Sequence, residues 1–170
     1  MDYKALIKSV QDFPIEGILF RDITPILQDK DAYKQITKEI ANFAKENNAD
    51  LICGPESRGF LFGCPAATEI NVGFIPIRKP GKLPRETIEE SYSLEYGKNT
   101  LAMHADAIKP GQRVVIVDDL LATGGTLEAA VNLVEKLGGV VAGIAVVIYL
   151  SEFPLSEKLQ KYNLFVACKY

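Results

Sequence analysis

Residues 114–126 read Val-Val-Ile-Val-Asp-Asp-Leu-Leu-Ala-Thr-Gly-Gly-Thr. The run from Arg113 to Val117 is nearly all β-branched, which predicts a strand covered on both faces, stopping at two aspartates. A loop with two threonines and two glycines follows. Beyond Thr126, Ala130, Val131, Val134 and Leu137 fall on one helical stripe over residues 127–137. Each part of this strand–loop–helix unit has a chemical use. Gly124 and Gly125 let the backbone approach a phosphate closely. The Thr123 and Thr126 hydroxyls and the loop N–H groups donate to its oxygens, and the helix N-terminus adds a positive dipole end. Asp118 and Asp119 are repelled by a phosphate; they suit the hydroxyls of a ribose, directly or through the water shell of Mg²⁺. The unit is built to hold a ribose 5-phosphate. It is neither a GxxxxGK[ST] loop nor a GxGxxG fingerprint, both of which are absent.

Outward from this unit, strands alternate with helices. Residues 50–53, 72–77, 140–150 and 164–167 form further apolar, β-rich runs, and residues 31–46 place Ile36, Ile40, Phe43 and Ala44 on one helical face. The alternation predicts an α/β fold with a central, mainly parallel sheet flanked by helices. Ligands in such sheets sit at the carboxyl ends of strands, so the loops after Ile52 and Val117 are the expected site. Residues 78–98 differ, with two prolines, two glycines and many charges. They predict an exposed excursion, a hairpin that acts as a lid.

The 170 residues suffice for one domain with a core. A hydrophobic fraction of 48% and a charged fraction of 24% are those of a globular protein. The net charge of −3 offers no general attraction to nucleic acid or to an anionic membrane. The opening residues lack the charged and apolar regions of a secretory leader, and the apolar run at 140–150 is too short to span a bilayer. Cys53, Cys64 and Cys168 lack paired spacing. The expectation is free, buried thiols in a reducing cytoplasm.

Three other places carry chemistry. The turn after residue 53 holds Ser57 and Arg58, whose N–H groups and guanidinium suit a pyrophosphate. Lys79, Lys82 and Arg85 make a local basic cluster in an acidic chain. Phe20 and Arg21 lie in an apolar stretch where a ring can stack on a base, with Leu120 on its opposite face. His104 is the single histidine, and nothing in sequence pairs with it, so a structural or surface role is expected.

Residues 114–126 resemble the phosphoribosylpyrophosphate signature of the type I phosphoribosyltransferases. Phe13, Pro14, Gly17, Phe20, Arg21, Asp22, Ile23 and Pro25 are similar to the N-terminal FP..G..FRDI.P segment of that family's adenine-using branch. Pro55, Glu56, Ser57, Arg58, Gly59 and Phe60 resemble its pyrophosphate loop; residues 78–84 and 93–97 resemble its mobile segment. The resemblance implies a single domain over residues 1–170, with a small hood from about residues 1–30 and a flexible loop at about 78–98. It implies adenine held between Phe20 and Leu120, with its edge read by the main chain near Leu19 and Arg21. Glu56, Ser57, Arg58, Lys79, Lys82 and Tyr96 would meet pyrophosphate or ribose, and Asp118, Asp119, Thr123, Gly124, Gly125 and Thr126 the ribose 5-phosphate. Glu95 and Arg58 would be catalytic, Glu95 as acid–base or electrostatic stabiliser. Ala122 stands where the 6-oxopurine enzymes carry an aspartate, which fits adenine. Adenine, phosphoribosylpyrophosphate, AMP and pyrophosphate are the implied partners. Mg²⁺ would be carried by the substrate, with no direct protein ligand, and the protein would be a homodimer. A transferase for xanthine or orotate shares the ribose-phosphate loop but not the N-terminal segment. A purine-sensing regulator of the same fold would need a DNA-binding domain, for which the residues before Phe13 leave no room.

Overall fold

The computed structural model describes residues 1–94 and 97–170. Glu95 and Tyr96, both expected in the site, lie outside the described residues. A short 3₁₀ turn at Tyr3–Ala5 leads into strands β1 (Lys8–Gln11) and β2 (Leu19–Asp22), which pair antiparallel as a separate two-stranded ribbon. Helices α1 (Thr24–Gln28) and α2 (Lys30–Glu46) follow. Asp29 caps α2, its side chain accepting from the N–H groups of Asp31 and Ala32 at 3.0 Å. Then come β3 (Leu51–Pro55), α3 (Arg58–Glu69), β4 (Gly73–Ile77), the hairpin of β5 (Thr87–Leu94) and β6 (Gly97–His104), β7 (Arg113–Leu121), α4 (Gly125–Lys136), β8 (Val140–Tyr149) and β9 (Leu164–Lys169).

The main sheet is five-stranded and wholly parallel, in the order β4-β3-β7-β8-β9. Both faces are covered, and β7 shows why its sequence is β-branched throughout. Val114 and Ile116 pack with Leu127, Val131 and Val134 of α4, while Val115 and Val117 pack with Ile36 and Ile40 of α2 and Phe62 and Ala66 of α3. A strand alternates its faces with period two, so a doubly covered strand needs an apolar residue at every position. The chain winds from β3 towards β4 on one side and from β7 towards β8 on the other. The order of winding reverses between β3 and β7, and the carboxyl ends of these two strands flank a crevice.

Four expectations change. β7 does not stop at the aspartates: its parallel pairing with β8 runs through Asp118 and Leu120 to Leu121 opposite Tyr149. Helix α3 was not foreseen, because Gly59, Gly63 and Pro65 blur its periodicity; burial of Phe62, Ala66 and Ala67 secures it. The excursion at 78–98 is exposed only in part. Its base is fixed, with Leu101, Ala102 and Met103 buried and Arg78 and Ala102 exchanging main-chain hydrogen bonds at 3.0 and 2.7 Å. Its outer strand is tied to α4 by Glu90, which pairs with Lys136 at 2.5 Å and accepts from Asn132 at 3.1 Å. The thiols are free, as expected, but only Cys53 is buried; Cys64 is exposed and Cys168 is half-buried. Among the described residues no helix is long and apolar enough to cross a membrane.

Candidate active site

At the β3/β7 crevice lies a cleft of about 300 Å³, at the lower bound of the roughly 300–1,000 Å³ of small-molecule sites. It brings together Glu56, Arg58, Lys79, Asp118, Asp119, Leu120, Ala122, Thr123, Gly124, Gly125 and Thr126, most of the residues expected from sequence. Leu19, Phe20, Arg21, Ser57 and Lys82 do not line it. Tyr92 of the hairpin does, together with Pro55, Leu101, Leu121 and Leu127. Sequence reasoning passed over Tyr92; an aromatic ring inside a polar excursion was the available signal.

The floor of the cleft is the first turn of α4. Gly124 sits at the N-cap with φ of +90°, a conformation that glycine adopts without strain, and no side chain caps the helix. The leading N–H groups therefore stay available to an anion, beside the hydroxyls of Thr123 and Thr126.

The wall is acidic. Asp118 and Asp119 are 8% and 4% exposed, and the Asp119 N–H donates to Asp118 Oδ1 at 2.8 Å. Burial pushes the Asp118 carboxyl well above the usual carboxylate range, and the neighbouring charge of Asp119 adds to this. Burial also raises Asp119, but Arg58 works against it, with Nε 2.8 Å from Oδ2. Asp119 is thus the member of the pair held more firmly as an anion. Arg58 comes close because α3 begins directly under β7. Gly59 makes this possible: a Cβ there would lie 2.8 Å from Pro55 Cδ and 2.9 Å from the Val117 carbonyl oxygen. The Arg58 guanidinium also lies 5.5 Å from the centre of the Phe20 ring. It therefore connects the acidic wall to the β1–β2 ribbon.

Replacing Arg58 by Met should leave Asp119 buried without its cation. Half-exposure of the Arg58 side chain moderates the cost. The expected loss is about 1–3 kcal/mol, read as a lower urea midpoint at unchanged slope.

Glu56 has its carboxylate committed within the chain. It accepts from the Lys79 N–H at 2.8 Å and from Arg78 Nε at 3.2 Å, and these contacts, the main-chain one foremost, hold it below the usual range. The clamp fixes the main chain of Lys79, which lines the cleft. Of the basic cluster, Arg85 is engaged with Asp106 at 2.5 Å, and Lys82 is exposed. Arg21 faces away from the acids: its guanidinium stacks 3.9 Å from the Tyr170 ring centre and it bonds Ser9. Its main chain, on a strand with a single neighbour, is what remains for a ligand. His104 approaches Arg85 through Nδ1 at 3.4 Å and lies outside the cleft lining.

The comparisons with known proteins agree with this fold. The phosphoribosyl transferase domain family matches residues 23–169. An adenine phosphoribosyltransferase of Lactobacillus acidophilus is 56% identical over 170 residues, covering 100% of this chain and 97% of that protein. The crystal structure of adenine phosphoribosyltransferase from Thermoanaerobacter pseudethanolicus superposes with a TM-score of 0.95 at 48% identity, covering 99% of this chain and 98% of that one. The Saccharomyces cerevisiae enzyme, complexed with adenine and an imino-altritol bisphosphate, superposes with a TM-score of 0.89 at 35% identity, covering 98% and 97%. The family match over residues 23–169, together with 56% identity to such a relative along the whole chain, places this protein in the adenine phosphoribosyltransferase family.

Proposed function

We propose that the protein transfers the 5-phosphoribosyl group of 5-phosphoribosyl-1-pyrophosphate to N9 of adenine, giving AMP and pyrophosphate for purine salvage. The observation that carries this reading is the uncapped N-terminus of α4 beside two buried carboxylates, at the crevice where the winding of the sheet reverses. A phosphate on the helix N-terminus sets the ribose against Asp118 and Asp119. The bond from C1 to the pyrophosphate oxygen breaks as the bond from N9 to C1 forms on the opposite face, so configuration inverts. Positive character develops at C1, and the nearby carboxylates stabilise it. Arg58 and Lys79, which line the cleft, receive the departing charge. Leu120 covers one face of the base, and Phe20, which Arg58 already touches, covers the other. Glu95 is assigned from sequence alone to the proton lost from the purine, or to the charge at C1.

Mg²⁺ arrives with phosphoribosylpyrophosphate as part of the substrate and neutralises its pyrophosphate. Among the described residues no group of three potential ligands gathers to hold a resident metal. Asp118 and Asp119 fit contact through water. The same reading takes the protein to be cytoplasmic, in keeping with its three free thiols, and homodimeric, as the family resemblance implies.

The test is direct. Incubation with adenine, phosphoribosylpyrophosphate and Mg²⁺ should form AMP and pyrophosphate in equal amounts, and omission of any component should stop it. Faster turnover of xanthine or orotate would replace adenine by that base. Adenine binding without AMP formation would favour a purine sensor.

A further inference from the structure

We propose that Tyr92 is a positioning residue that aims the hydroxyl of Thr126 at the substrate's 5′-phosphate. The proposal rests on the reading that Thr126 binds this phosphate.

Tyr92 and Asn99 stand directly opposite each other in the β5–β6 hairpin. The Asn99 amide nitrogen donates to the Tyr92 hydroxyl at 3.4 Å, and that hydroxyl lies 3.0 Å from Thr126 Oγ1. The ring is seated against the first turn of α4. A Cβ on Gly125 would come within 2.7 Å of Tyr92 Cδ2, so the contact depends on glycine at that position.

In the relay we assign, these bonds run one way. An amide nitrogen only donates, so the Tyr92 oxygen is the acceptor from Asn99. Its own proton is then free for Thr126 Oγ1. A threonine hydroxyl has one proton and two lone pairs. With one lone pair filled by Tyr92, Thr126 keeps its proton for an anion. Asn99, Tyr92, Thr126 and the phosphate form a one-way chain of donors, each bond polarising the next. Without the phenol, the Thr126 proton has an additional rotation to lose on binding. Tyr92 touches no substrate in this scheme; it sets the direction of a group that does.

The chain also joins two elements that sequence reading treated separately, the excursion and the phosphate loop. Occupancy of the loop should strengthen the seat of the hairpin.

The decisive variant is Tyr92→Phe, which keeps the ring against Gly125 and removes only the hydroxyl. KM for phosphoribosylpyrophosphate should rise by about three- to tenfold, the equivalent of one neutral hydrogen bond. The value of kcat, KM for adenine and Tm should stay near wild type. Thr126→Ala should weaken phosphoribosylpyrophosphate by about tenfold or more, and adding Tyr92→Phe to it should cost nothing further. Titration of ribose 5-phosphate should show the same order of affinities. If Tyr92→Phe leaves KM for phosphoribosylpyrophosphate unchanged while Thr126→Ala raises it, the relay is wrong and the phosphate site stands. If both leave it unchanged, the phosphate reading itself fails. Full additivity of the two changes, or a fall in Tm with no selective effect on phosphoribosylpyrophosphate, would make Tyr92 a packing residue only.

Discussion

With hypoxanthine in place of adenine, kcat/KM should fall by about 10⁴-fold. The size of the effect comes from who reads the base. Among the described residues strand β2 has one neighbour, β1, so half of its main-chain groups have no strand partner there. Leu19 and Arg21 are two residues apart and present their N–H and C=O groups on the same edge. Adenine offers an acceptor at N1 and a donor at the exocyclic amine. Hypoxanthine offers a donor at N1 and an acceptor at the exocyclic oxygen, so both partners are reversed. A side chain can rotate to suit either base, but a main-chain group held in a strand cannot. Arg21 gives no alternative, because its guanidinium is occupied by Tyr170 and Ser9. Ala122, which lines the cleft, offers a 6-oxopurine no charged partner. Steady-state kinetics with adenine, hypoxanthine and guanine check this, and comparable kcat/KM for adenine and hypoxanthine would defeat the assignment of the base site to β2.

The parallel sheet was legible because coverage on both faces forces an unbroken apolar run. Residues 113–117 could hardly be anything else, and the floor of the cleft follows from the glycines and threonines after them. What the sequence concealed was contact made at a distance along the chain. Helix α3 has weak periodicity, since its glycines serve close packing, Gly59 against β7 and Gly63 against Phe74 of β4, rather than a broad apolar stripe. The pairing of Arg58 with Asp119 depends on where α3 starts relative to β7, which no local pattern encodes. Nor could a local reading tell that Glu56 spends its charge on Arg78 and Lys79, or that Arg85 spends its own on Asp106. Tyr92 was hidden for a related reason. In a charged excursion, an alternating strand that lays one ring on α4 looks like a solvated loop until the helix is in place.

Asp118→Asn should cut kcat/KM for phosphoribosylpyrophosphate by about ten- to a hundredfold, the loss of one charge-assisted hydrogen bond of about 1.5–3 kcal/mol, and should raise Tm at neutral pH. The two effects share one cause. Burial disfavours the charged form of Asp118, and the neighbouring Asp119 disfavours it further, so its carboxyl titrates well above the usual range in the folded protein. In the unfolded chain it titrates near 4. Between these two values the folded state binds the extra proton, so this group's contribution to stability is fully present below about pH 4 and is lost as pH rises through the folded value. At neutral pH the native chain keeps an acid where its charge is costly. Asparagine removes that cost while its side-chain oxygen still accepts from the Asp119 N–H, as Asp118 Oδ1 does at 2.8 Å. The Tm advantage should therefore be largest near pH 7–8 and shrink towards pH 4. Calorimetry across this range, beside steady-state kinetics, measures both effects. A variant less stable at every pH would mean that the carboxylate is well solvated or well paired in the free protein; a fully active one would remove Asp118 from the ribose. Lower activity together with higher stability would identify the acid's place in the fold as functional, a buried charge kept for a ligand at a cost to the free protein.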